Sequence, residues 1–125
     1  MDTIESLQQQ HAEIRDKLSR LESVKRFEEH QKLLGKCFRY RNCYSCPKTE
    51  DDYWWLYRRV IGFTKDGYLQ VFQFQRDQYD KIEIETCTRQ TSCGGEPITL
   101  KQFQYAFKIV ARMVNDRARS AKALP

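Results

Sequence analysis

The residues in this sequence able to do chemistry are five cysteines, two histidines and a set of arginines that follow aromatic side chains. Cys43-x-x-Cys46 with the later pair Cys87 and Cys93 makes the best metal-binding set. Four thiolates can enclose a zinc ion tetrahedrally, and a two-residue gap lets one turn present both sulfurs. The second pair is spaced too widely for a standard knuckle and Cys37 is left over, so buried or merely tolerated thiols are the simpler reading. No metal or other cofactor is expected. His11 and His30 stand nineteen residues apart on one helical stretch, facing solvent or an apolar seam. Asp51, Asp52, Asp77 and Asp80 fall in loop segments, where turn formation accounts for them. With no Gly-rich phosphate loop, nucleophile elbow or HExxH helix present, no catalytic residue is assigned and the chain is read as a binding protein.

Recognition of a nucleotide needs cations for phosphate and flat rings for a base. Arg58 and Arg59 follow Trp54-Trp55, Arg76 follows Phe72 and Phe74, and Lys101, Lys108 and Arg112 precede Asn115, Arg117 and Arg119. Strand arginines also pair with cross-strand carboxylates such as Glu83 and Glu85, and aromatic rings also fill cores. The net charge is +5, and residues 101–125 carry six basic groups and one acidic one, so the excess lies at the C-terminal end. A long nucleic acid calls for a broader basic surface than this, whereas a small anion needs only two or three well-placed cations.

The elements that must position these groups follow from length and periodicity. At 125 residues the chain makes one domain, 1–125. Ile4, Leu7, Ile14, Leu18 and Leu21, with His11 among them, form a heptad seam that continues through Val24, Phe27 and Leu34 after a three-residue step. Asp2 or Thr3 caps this helix of residues 1–35 and Gly35 ends it. Such a helix is too long for its own domain, so its seam predicts a dimer or higher homo-oligomer. Period-two patterning then predicts an antiparallel meander of about four strands over 36–97, with Asp66-Gly67 as a hairpin turn. Thr99 with Gln102 opens a second helix over 98–116, whose stripe is Leu100, Phe103, Phe107, Val110 and Val114. Residues 117–125 read as a basic tail that frays. The fold class is α+β: long helix, sheet, helix. No apolar run is long enough to span a membrane and no signal pattern opens the chain, so a cytoplasmic protein with no membrane partner is expected.

The segments GKCFRYRN, NCYSCP, DDYWWLYRRVIGF, DGYLQVFQFQ, KIEIE and EPITLKQFQYAF, spanning about residues 35–110, resemble small accessory proteins of bacteriophages and prophages. The element order and length are similar to the first Thoeris anti-defence family. The resemblance implies an oligomeric sponge in the host bacterial cytoplasm. Such a sponge binds cyclic ADP-ribose isomers, and in some cases cyclic oligonucleotides, without cleaving them. On that reading Arg26, Arg58, Arg112 and Arg117 are phosphate candidates, Phe27, Trp55 and Phe74 are stacking candidates, and Asn115 reads a base or ribose edge. The alternative is a phage accessory protein that binds a host protein or nucleic acid through a basic and aromatic surface.

Overall fold

The computed structural model describes residues 3–89 and 94–121. Helix α1 spans Ile4–Gln31, and strands β1 to β5 span Cys37–Cys43, Tyr53–Phe63, Leu69–Arg76, Ile82–Arg89 and Glu96–Ile98. Helix α2 spans Leu100–Ser120, and a single 3-10 turn, Glu50–Asp52, precedes β2. The sheet is antiparallel throughout, in the order β4-β3-β2-β1-β5. This is the α+β arrangement that the pattern predicts, with one strand more. The fifth, β5, pairs with the outer edge of β1 within what reads as a loop.

Thr3 caps α1 by accepting from the Ser6 amide, and Thr99 and Gln102 form the reciprocal capping box at the start of α2. Gly35 takes a positive φ of 79° just beyond the end of α1. Helix α2 continues through Arg117 and Arg119 to Ser120, so the expected break after residue 116 does not occur. The other cap candidate, Asp2, and tail residues 122–125 lie outside the described residues.

Strand alternation sorts the sheet residues onto two faces. Helix α2 covers the face bearing Cys37, Tyr57, Phe72 and Phe74, where Phe103 and Val110 are buried against them. Phe103 and Phe107 meet Phe72 and Phe74 edge-on or tilted, at ring-centroid distances of 5.2 to 6.3 Å. Each such pair contributes about 0.5–1.5 kcal/mol beyond the area it buries. The opposite face holds a second cluster, Val60, Leu69 and Val71, with Leu33, Phe38, Phe63 and Cys87 packed around it.

Strict alternation along β2 would put Phe63 on the same face as Tyr57. A register shift between Val60 and Gly62 inserts Ile61 as an extra residue and turns Phe63 to the Val60 face. There Phe63 meets Phe27 of α1 at 5.1 Å. The rest of this docking is made by the β2–β3 turn. Gly67 has a φ of +83°, and a Cβ on it would come within 2.9 Å of the Phe27 amide nitrogen and 3.0 Å of the Ser23 carbonyl oxygen. His30 is buried here with its Nδ1 2.9 Å from the Gly67 carbonyl oxygen, so Nδ1 carries the proton and donates. His30 therefore faces the domain, not solvent or seam as its spacing suggested.

Candidate functional site

Between α2 and the sheet, beside Phe74 and Val110, lies a cleft of about 410 Å³. Its sheet side is built by alternation: Tyr53, Trp55 and Tyr57 from β2, with Phe74 and Arg76 from β3. Its helix side is Ala106, Ile109 and Val110. Tyr57 and Phe74 stack at 5.0 Å with their planes 8° apart and form a flat floor.

Two guanidinium groups from β1 lie over the cleft's aromatic rings. The Arg39 guanidinium is 4.2 Å from the Trp55 ring centroid, and that of Arg41 is 4.3 Å from Tyr53. The antiparallel register places Arg39 opposite Tyr57 and Arg41 opposite Trp55, so each arginine reaches a ring one diagonal step away. Arg39 is paired with Glu96 and Arg41 with Glu50, which holds both side chains in place. Glu96 sits on β5 because Gly95 turns the chain tightly there: a Cβ at Gly95 would come within 2.2 Å of the Arg39 carbonyl oxygen.

At the rim, Arg76 lies 3.7 Å from the Asp80 carboxylate and donates to the Met113 sulfur at 3.0 Å. Gln78, in the cleft lining, has its Oε1 buried without a hydrogen-bond partner among the described residues. Asp77, also in the lining, accepts from the Tyr44 hydroxyl and from the amides of Tyr79 and Lys81. Burial pushes the Asp77 carboxyl up, but those three hydrogen bonds and the Lys81 charge together hold it below the usual carboxylate range. The same contact pushes the Tyr44 phenol up to about 12.

The eight residues that the sequence singled out fall in four places. Trp55 and Phe74 meet in the cleft. Arg26 donates to the Asp66 carbonyl at 2.8 Å and covers Tyr68 at 4.1 Å, while Phe27 packs on Phe63, so both serve the docking of α1. Arg58 is buried on the opposite sheet face, donating to Gln73 at 3.0 Å in a row that runs on to Glu85. Arg112 and Asn115 line a shallow groove along α2 with Lys108, Asp116 and Arg119, and Arg117 is exposed on the last turn. A single chain does not gather these into one site. Sequence reasoning noted Arg76 behind Phe72 and Phe74 but did not select it, nor did it select Arg39, Arg41, Tyr53 or Tyr57.

The four-thiol zinc set does not assemble either. Cys43 is on β1 and Cys87 on β4, separated by β2 and β3, which is a lateral distance of roughly 14 Å at the usual strand spacing. No group of three His, Cys, Asp or Glu side chains among the described residues is placed to hold a metal, and Cys93 lies outside them. Burial pushes the Cys37 thiol up, against a smaller opposing pull from Arg59. No described helix is long and apolar enough to cross a membrane. Comparison with protein-family models, with curated proteins and with solved structures gave no match.

Proposed function

We propose that the protein sequesters a flat, anionic ligand of the cyclic-nucleotide class in the cleft between β2, β3 and α2, without cleaving it. The reading includes a homo-oligomer and a phage-encoded role in the host cytoplasm, against a cyclic ADP-ribose-type immune signal. One observation carries it: two aromatic rings, each under an arginine, line the same cavity as Arg76. A base stacks on such rings at about 1–3 kcal/mol each. Guanidinium groups offer a phosphate a planar fork of donors. Asp77 is committed to three donors, which makes it a structural acceptor and not a proton-transferring base. The volume lies within the range of about 300–1,000 Å³ usual for small-ligand sites.

A second reading, contact with a host protein or nucleic acid, is favoured by the outer side of α2. Tyr105 is 70% exposed there beside Lys108, Ile109 and Arg112.

Native mass spectrometry of the full chain with cyclic ADP-ribose isomers and cyclic di- and trinucleotides separates the two. The expected result is one intact nucleotide held per cleft, with Trp55→Ala weakening retention about tenfold or more, as the loss of one stacking contact implies. Uptake of none of these nucleotides, or uptake indifferent to Trp55→Ala, overturns the cleft as the site.

A further inference from the structure

Helix α1 changes partner partway along its length. Its contacts with the sheet and the β2–β3 turn described above all fall between Ser23 and His30. Before that point the seam residues Ile4, Leu7, Ile14, Leu18 and Leu21 are 51–75% exposed in the single chain. That seam covers about 27 Å of helix at 1.5 Å per residue. The three-residue step from Leu21 to Val24 breaks the alternating spacing, and a shortened step of this kind moves an apolar stripe around a helix. After it Phe27 packs on Phe63 and His30 is buried against the Gly67 turn, while Val24 between the two stretches stays 55% exposed.

What covers the earlier stretch is indicated by the charges flanking it. Ile4, His11 and Leu18 occupy the a positions and Leu7, Ile14 and Leu21 the d positions. Lys17 is then at g and Glu22 at e, while Gln10 at g precedes Arg15 at e. Two parallel helices in register place each g residue beside the e residue five positions later in the partner. Lys17 of one copy thus meets Glu22 of the other, twice by symmetry, and no like charges meet. An antiparallel pair overlapping along the same seam sets Lys17 against Gln10 and Arg15 against Gln8, with no ion pair. A lipid surface calls for a basic polar face, whereas this helix intersperses Glu13, Asp16 and Glu22 with Arg15, Lys17 and Arg20.

We propose that residues 4–21 of α1 form a parallel two-stranded coiled coil with a second copy of this chain, which sets the two sheet domains at the same end of the coil. This gives a definite form to the self-association in the functional reading above and is independent of the ligand. His11 forms a polar a layer against its counterpart, weakening the coil while fixing its register. In the single chain the Arg15 guanidinium lies 3.1 Å from His11 Nδ1 on the same helix face.

The test is sedimentation equilibrium of the full chain over a wide concentration range without nucleotide. A concentration-dependent dimer is expected, which Leu18→Glu converts to a monomer with an unchanged near-ultraviolet circular dichroism spectrum. Lys17→Glu weakens the dimer by about tenfold in Kd, as two exposed pairs turned repulsive imply, and adding Glu22→Lys restores it. Leu7→Cys cross-links on oxidation beyond the level of the parent chain, because parallel d positions face their own counterparts. A chain monomeric at every concentration, or a dimer indifferent to Leu18→Glu, overturns the coil. A dimer that Leu18→Glu dissociates but Leu7→Cys does not cross-link overturns the parallel arrangement, since an antiparallel pair sets Leu7 beside Leu18. Nucleotide uptake by the Leu18→Glu chain is read separately, so failure of the coil and failure of the cleft are distinguishable.

Discussion

Tyr44 and Asp77 show how far one contact can move two acids. The hydroxyl donates to the carboxylate, so both groups keep the charge state that makes the bond: phenol neutral, carboxylate ionised. Because the phenol is raised to about 12 from its ordinary value of 10.0, its contribution to stability is complete below pH 10 and is lost as pH rises toward 12. Asp77 is lowered from its ordinary value of 3.8, so its contribution is present above that value and is lost as pH falls through the folded one. Ultraviolet titration of the phenols is expected to show one tyrosine ionising near pH 12, and Asp77→Asn is expected to return it toward its ordinary range. If the two titrations superimpose, the contact does not persist in solution. This pair was hidden in the sequence because its partners lie thirty-three residues apart and meet only when the loop after β1 folds back beside the end of β3. The burial of Arg58 was hidden for a related reason. Its partner Gln73 is its direct neighbour across the β2–β3 pair, and a glutamine in an alternating strand gives no sign of being an acceptor for it.

At the level of elements, periodicity located both helices and four strands, because each presents a repeat of 3.6 or 2 over many residues. It did not locate β5, where three residues next to a glycine pair are too short to show a repeat. That omission mattered for the cleft, since β5 supplies the Glu96 that holds Arg39 over Trp55. The Asp66-Gly67 turn was legible, but its second role was not: α1 rests directly on it. Gly67→Ala brings a Cβ into the backbone of Phe27 and Ser23 at a positive φ, so it is expected to destabilise the fold by about 1–3 kcal/mol. Denaturant unfolding measures the loss. Amide exchange over residues 23–31 is expected to rise more than exchange in β2 and β3, and a uniform rise would place the strain elsewhere.

For the molecule as a whole, the sequence predicted the fold class, and the eight residues it singled out are not brought together within one chain. Fold class depends on runs of residue types, whereas a site depends on which strands become neighbours. The two faces of the sheet are closed by different means, and α2 is held chiefly by Phe103 and Val110, its two buried residues. Phe103→Ala is expected to cost about 3–5 kcal/mol, a large share of the roughly 5–15 kcal/mol that keeps a small domain folded. Thermal unfolding should show the fall in Tm. Loss of α2 also removes one wall of the cleft, so on the proposed function nucleotide retention should fall in step with the folded fraction. A Tm within a degree or two of the parent would mean that α2 is anchored elsewhere.

The exposed edge of β4 bears on how copies of the chain avoid one another. Of the sheet's two outer strands, β5 is only three residues long, but β4 runs for eight and leaves one row of backbone groups unpaired among the described strands. Such a row is a template for strand addition by another molecule, and charged side chains along it oppose that addition. Glu83 and Glu85 project from β4 on one face, and their carboxylates accept from Gln75 and Gln73 on β3. A strand arriving from another copy in β4-to-β4 register would bring its own two glutamates against these. Pairing of two sheets edge to edge is thereby disfavoured at the longer of the two outer strands.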